Sequence, residues 1–228
     1  MAISFDAGSG AIAGQSGTTL SWTHVTSASA TIMFAGFMSN GATGSLTDPS
    51  SVTYNSVAMT LINKQDSPTP ANRVWLYYLV NPASGSHSVS VTWAASQDNT
   101  TGGSGTYIGA ATTGVPDSSH QDSSTASATF TPSTTVVASN CWIVGIYRST
   151  GDAFQSISGG VNRGGTNAFD CNLYDTNATV GTGSQSPVTI TAASAPGNTW
   201  AGVNASFAPT AAAGTSRDAR ALTLLGVG

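Results

Sequence analysis

The sequence predicts an all-β protein: an antiparallel two-sheet β-sandwich followed by a C-terminal extension. Two features of composition and one of pattern lead there. Among 228 residues, 65 are Ser or Thr, 32 are Ala and 26 are Gly, and charged residues make up only 7%. Glu is absent and Lys64 is the one lysine, so the charged outer faces that amphipathic helices use are lacking. Period-two alternation of apolar and hydroxyl residues, punctuated by Gly, Pro, Asn and Asp, recurs as far as position 207. That is the pattern of half-buried strands. With 39% hydrophobic residues and a net charge of −4, the chain also lacks the composition of a disordered polypeptide.

Each strand follows from its own stretch of sequence. Residues 19–25 carry Leu20, Trp22 and, out of phase, Val25. Residues 31–37 (TIMFAGF) are apolar enough to be covered on both faces. Val52 and Tyr54 lead into Asn55-Ser56, a two-residue turn, after which Val57, Met59 and Leu61 resume the alternation as a hairpin. Residues 73–80 place Val74, Leu76, Tyr78 and Val80 on one side, with Arg73, Trp75, Tyr77 and Leu79 on the other. A turn at 81–85 contains Pro82, which a strand interior excludes. Residues 86–93 then alternate most cleanly, Val89, Val91 and Trp93 against Ser88, Ser90 and Thr92. Further strands are expected at 107–115, 124–131, 135–147, 153–157, 168–174, 187–192 and 199–207, with 135–147 one long central strand that puts Trp142, Val144 and Ile146 on one face. Loops are expected around 40–50, 64–72, 96–105, 116–124 and 159–167. About a dozen strands at this spacing, without helices between them, argue for a sandwich rather than a parallel α/β sheet. Ser and Thr take the outward positions that Lys and Glu usually fill.

No shift in composition divides residues 1–208, which read as one domain. Residues 209–228 differ: a small-residue linker, the charge cluster Arg217-Asp218-Arg220, and an apolar tip containing Ala221, Leu222, Leu224, Leu225 and Val227. An apolar tip beyond a linker is expected to dock, either on its own sandwich or as an assembly arm on a neighbouring subunit.

Chemistry is sparsely encoded. His24 and His87 fall in strands, and His120 lies in a Ser- and Asp-rich segment read as an exposed loop. No Gly-x-Ser-x-Gly elbow is present, and without Glu the acid/base pair common in sandwich-fold glycanases is missing. The expectation is therefore a protein that is not an enzyme and carries no cofactor. Asp48, Asp66, Asp98, Asp117 and Asp122 are read as turn caps, with a structural calcium as the alternative. Cys141 and Cys171 are expected to be buried thiols, a single disulfide being the alternative. Six scattered basic residues make no footprint for nucleic acid, and no apolar run has the length of a membrane span. Trp75 and Tyr77 form a candidate glycan platform if their face is open; the expectation is that a second sheet, a loop or a partner covers it.

One stretch carries a resemblance. Residues 52–61 (VTYNSVAMTL), 73–85 (RVWLYYLVNPASG) and 88–92 (SVSVT), with the ending WAGVNASFAP at 200–209, resemble a β-sandwich module of bacteriophage structural proteins and bacterial surface or secreted proteins. The resemblance implies a jelly-roll-like sandwich, no shared catalytic residues, and a structural or adhesive role. The first ten residues do not read as a signal peptide, which favours a virion protein assembled in the host cytoplasm over an extracellular one. The expected partners are other copies of the chain and other virion proteins, with glycan binding as the alternative function.

Overall fold

The computed structural model describes residues 1–10, 15–40, 46–68, 72–125, 127–150, 154–166, 171–192 and 198–211. Within them every strand pairing is antiparallel and no helix occurs, so the all-β class holds. The first eight strands are β1 (Ser4–Ser9), β2 (Gln15–Thr26), β3 (Ala30–Asn40), β4 (Ser51–Tyr54), β5 (Val57–Ala58), β6 (Thr60–Asp66), β7 (Asn72–Val80) and β8 (Gly85–Ile108). The remaining ten are β9 (Ser118–Ser124), β10 (Thr129–Phe130), β11 (Thr134–Val136), β12 (Trp142–Thr150), β13 (Phe154–Ser158), β14 (Val161–Thr166), β15 (Cys171–Asp175), β16 (Gly183–Gln185), β17 (Thr189–Ala192) and β18 (Thr199–Phe207).

The pairings repeat. In the first half, the late part of β8 lies between β1 and β3, β3 continues to β7, and β7 to β6, while the early part of β8 lies between β2 and β4. In the second half, β18 lies between β9 and β12, β12 continues to β15, and β15 to β14, while β17 lies between β10 and β13. Apart from β5 and the β11–β16 pair, which have no counterpart, the two diagrams coincide, with β17 and β18 standing for the two parts of β8. Register sharpens the match: Tyr77–Ala35–Ser104 corresponds to Tyr174–Gly145–Asn204, and Trp75–Phe37–Gly102 to Asn172–Tyr147–Gly202. The molecule is thus built from two β units of like topology, called repeats below.

Each repeat encloses its own core. In the first, one sheet curls over itself through the long bent β8, and Leu20, Trp22, Tyr54, Val89 and Val91 pack on Met33, Phe37, Trp75 and Tyr77. In the second, Phe130, Ile190 and Val188 pack on Tyr147, Tyr174 and Trp200. The largest cluster lies between the repeats, where Ile32, Phe34, Val74, Leu76 and Tyr107 meet Val144, Ile146, Leu173, Val203 and Phe207. β3, β7, β12 and β18 are therefore covered on both faces, although Asn204 and Ser206 make one face of β18 partly polar. β1 contacts β14 and β6 contacts β9, the reciprocal pair that a twofold relation between repeats requires. The body at 1–208 thus consists of two repeats sharing one interior.

Near that twofold the equivalent residues Gly36 and Ile146 face one another. A Cβ on Gly36 would stand 2.9 Å from Ile146 Cβ. Two isoleucines could not occupy this spot, and the chain resolves the conflict by placing glycine on one side.

Several expected boundaries shift. Residues 96–105, expected as a loop, belong to β8: the alternation of 86–93 lapses at residues 94–96, but the backbone goes on pairing, with β2, then β3 and β1, into the small residues Gly102, Gly103 and Gly105. Residues 116–124 and 159–167, also expected as loops, hold the edge strands β9 and β14. The single long strand at 135–147 is instead β11 and β12, separated by a turn in which Asn140 takes φ 59°. The strand at 107–115 ends at Ile108, before Gly109 at φ 77°. The hairpin turn is as read, with Asn55 and Ser56 both at positive φ, 48° and 64°.

Candidate functional site

Trp75 is fully buried and Tyr77 only 9% exposed. Phe37 stacks on both, at 5.3 and 5.6 Å between ring centres, and Trp93 meets Trp75 edge-on. Burial pushes the Tyr77 hydroxyl up to about 12. Their rings offer no surface for a sugar, because the curled sheet of the first repeat closes over this face. The apolar tip (Ala221, Leu222, Leu224, Leu225, Val227) lies outside the described residues. Cys141 and Cys171 are both buried, each as a thiol; burial and the nearby Asp117 push the Cys141 thiol up to about 12.

The polar groups sort into internal fastenings. His24, fully buried, anchors a chain of bonds that the sequence reading passed over. The Thr106 hydroxyl donates to Asp6 Oδ2 at 2.9 Å, so its oxygen accepts from His24 Nε2–H at 3.2 Å. His24 Nδ1 is then an acceptor for the Ser104 hydroxyl at 2.9 Å, with Ser9 at 3.1 Å. Trp22 Nε1–H donates to Ser104 at 2.9 Å. The ring is neutral in this arrangement, and burial drives its pKa down to about 4 against the pull of Asp6. The order Asp6–Thr106–His24–Ser104 resembles a nucleophile relay, but the histidine has no exposed surface at which a substrate could meet it.

A second fastening joins the repeats. Asp175, fully buried, accepts from Tyr107 at 2.9 Å and from Arg163 Nε at 2.7 Å, and its other oxygen accepts the Asn177 N–H at 2.8 Å. Arg163 also lies over the Phe5 ring at 3.9 Å. Burial, with the Asp175 charge and hydrogen bond adding to it, holds the Tyr107 hydroxyl well above its usual range. Tyr107 and Phe5 come from the first repeat, Arg163 and Asp175 from the second.

This bolt fills the seam between β1 and β14. The twofold-related seam, between β6 and β9, is open. There a shallow cleft of about 210 Å³ is lined by Lys64, Gln65, Asp66, Arg73 and Gln121. Arg73 bonds Asp66 at 2.5 Å and Asp48 at 3.3 Å, and Lys64 pairs with Asp48. Burial of Asp48 opposes its ionisation, but hydrogen bonds from Lys64 and Trp75 outweigh it and hold the carboxyl below its usual range. The cleft is polar but its charges are already matched.

His120 is half exposed and lies 3.2 Å from Asp122, with its strand β9 paired along β18 rather than looped. Asp117 and Asp122, expected to cap their own turns, instead tie distant segments: Asp117 accepts the Val137 and Ala138 N–H groups and the Ser206 hydroxyl, and Asp122 accepts the Ser133 N–H. No group of three His, Cys, Asp or Glu side chains is arranged to hold a metal among the described residues. A larger groove, of about 550 Å³, opens where the chain's first residues meet residues 208–211.

The outermost sheets present hydroxyls. Thr19, Ser21 and Thr23 on β2, with Ser86 and Ser88 on β8, face solvent on one side. Thr129, Thr131, Ser156 and Ser158 do so on the other. The chain matches no family model, no curated protein and no solved structure.

Proposed function

We propose that the protein is a non-enzymatic structural component of a phage particle, a capsid decoration or tail protein, that acts by associating with its own copies and with neighbouring virion proteins. The observation that carries this reading is the pair of uncharged Ser/Thr faces on opposite outer sides. Hydroxyl faces can be covered by a neighbour without the desolvation of Lys or Glu, and two such faces let one subunit touch two others. The titratable groups support it from inside: His24 and Asp175 are spent on holding the repeats rather than aimed at a cleft. The phage context itself rests on the sequence resemblance. Charged substitutions on the two faces, Ser21→Lys with Ser88→Lys and, separately, Thr129→Lys with Ser156→Lys, test the reading. Light scattering on the wild type is expected to give a defined oligomer or polymer that both pairs reduce. A wild-type monomer that also fails to coat phage particles would sink it.

A further inference from the structure

We infer that the groove beside the chain's first residues is the seat of the protein's own C-terminal segment, residues 221–227. The groove, about 550 Å³, is walled in part by Met1, Ile3, Ala138, Ala208, Pro209 and Ala211, and none of its lining residues carries a charged side chain. Its size suits a few apolar side chains. Ala211, part of that lining, is the last residue described before the tail. The backbone is held in place up to that point: Thr210 N–H bonds Gly109 O at 2.7 Å, and the N-terminal amine bonds Thr210 O at 3.1 Å.

Residues 221–227 read Ala-Leu-Thr-Leu-Leu-Gly-Val, without a charge. In an extended segment Leu222 and Leu224 point to the same side, as an apolar groove requires. Nine residues, 212–220, separate Ala211 from this segment. A random-coil chain of eleven residues has a root-mean-square length of about 17–20 Å, enough for the segment to reach back to a groove that Ala211 lines. Such a tether places the segment at an effective concentration in the millimolar range. A neighbour's segment would have to be that concentrated to displace it, which is why the occupant is the same chain. The inference does not rest on the self-association proposed above. It implies that subunit contacts come from the outer sheets while the tail is sheathed.

The test uses the full-length chain with p-benzoylphenylalanine in place of Leu224, irradiated at micromolar concentration in an equal mixture of isotopically light and heavy protein. The expected result is cross-linking to peptides containing residues 1–3, 138–140 or 208–211, always within one isotope. Mixed-isotope products at those peptides would overturn the same-chain seat and hand the groove to a neighbour's tail. Cross-links elsewhere, or none, would overturn the groove itself. In the full chain, Leu222→Asp with Leu224→Asp is expected to raise anilinonaphthalene sulfonate fluorescence at least threefold by unseating the segment; unchanged fluorescence also refutes the seat. Light scattering on the same samples reads self-association separately.

Discussion

His24 shows how one buried side chain ties stability to pH. Its folded pKa of about 4 lies below the ordinary value of 6.5, so the unfolded chain binds more protons between these values. The stability contribution is complete above pH 6.5 and is lost as pH falls towards 4. A shift of this size corresponds to roughly 3 kcal/mol. Asp6, whose partial burial is outweighed by bonds from Ser27 and Thr106, is held below the usual carboxylate range, so its own contribution is lost only at lower pH. Urea unfolding between pH 7 and 4 is expected to show the midpoint falling across this window; a flat profile would contradict a neutral buried ring. Arg163 makes a second case. Removing it as Arg163→Met leaves Asp175 fully buried without its cation, with an expected loss of about 3–5 kcal/mol, measurable by the same unfolding curves.

At the scale of elements, strand length is decided by where a bend can be tolerated. β8 passes from the β2/β4 side of the first repeat to the β1/β3 side without a break, through Ala94, Ala95 and Ser96, and Asn99 takes φ 46°. The equivalent β17 and β18 are two strands. The β4–β5 turn carries a removable strain, since Ser56 sits at φ 64° where glycine pays no steric penalty. Ser56→Gly is expected to stabilise the protein by about 0.5–1 kcal/mol and to raise the thermal midpoint by a few degrees. A lowered midpoint would mean that the hydroxyl or the unfolded-state entropy outweighs the backbone term.

The whole molecule is held by complementarity between its two repeats. Gly36→Ile would press a side chain into Ile146, and Ile146→Gly would empty the same space; each is expected to cost on the order of 2–4 kcal/mol. Combining them exchanges the two sides of the twofold. The double variant is expected to recover at least ~1 kcal/mol over the sum of the singles. Strict additivity would show that the two positions do not share the space the structure assigns them. The same complementarity explains why two repeats within one chain differ from a dimer of identical units: identical units would carry the same residue at both positions.

Alternation alone determined much of this protein. Trp142, Val144 and Ile146 share a face, Cys141 and Ile143 share the other, and 31–37 is covered on both sides, because side-chain direction in a strand follows from sequence parity. The hairpin at Asn55-Ser56 was legible because positive φ favours few residues. The edge strands β9 and β14 were not, since Ser, Asp, Asn and Gly read locally as loop and become strands only when β18 and β15 offer backbone partners. The likeness of the repeats left little local trace beyond Leu76-Tyr77 against Leu173-Tyr174 and Gly102 against Gly202; it lives in pairing, which tolerates nearly any residue. Whether Trp75 and Tyr77 face solvent, and whether Asp6, His24 and Ser104 meet, depended on residues up to 100 positions apart. Contacts of that range are decided by how the sheets close on one another, and only the tertiary structure supplies that.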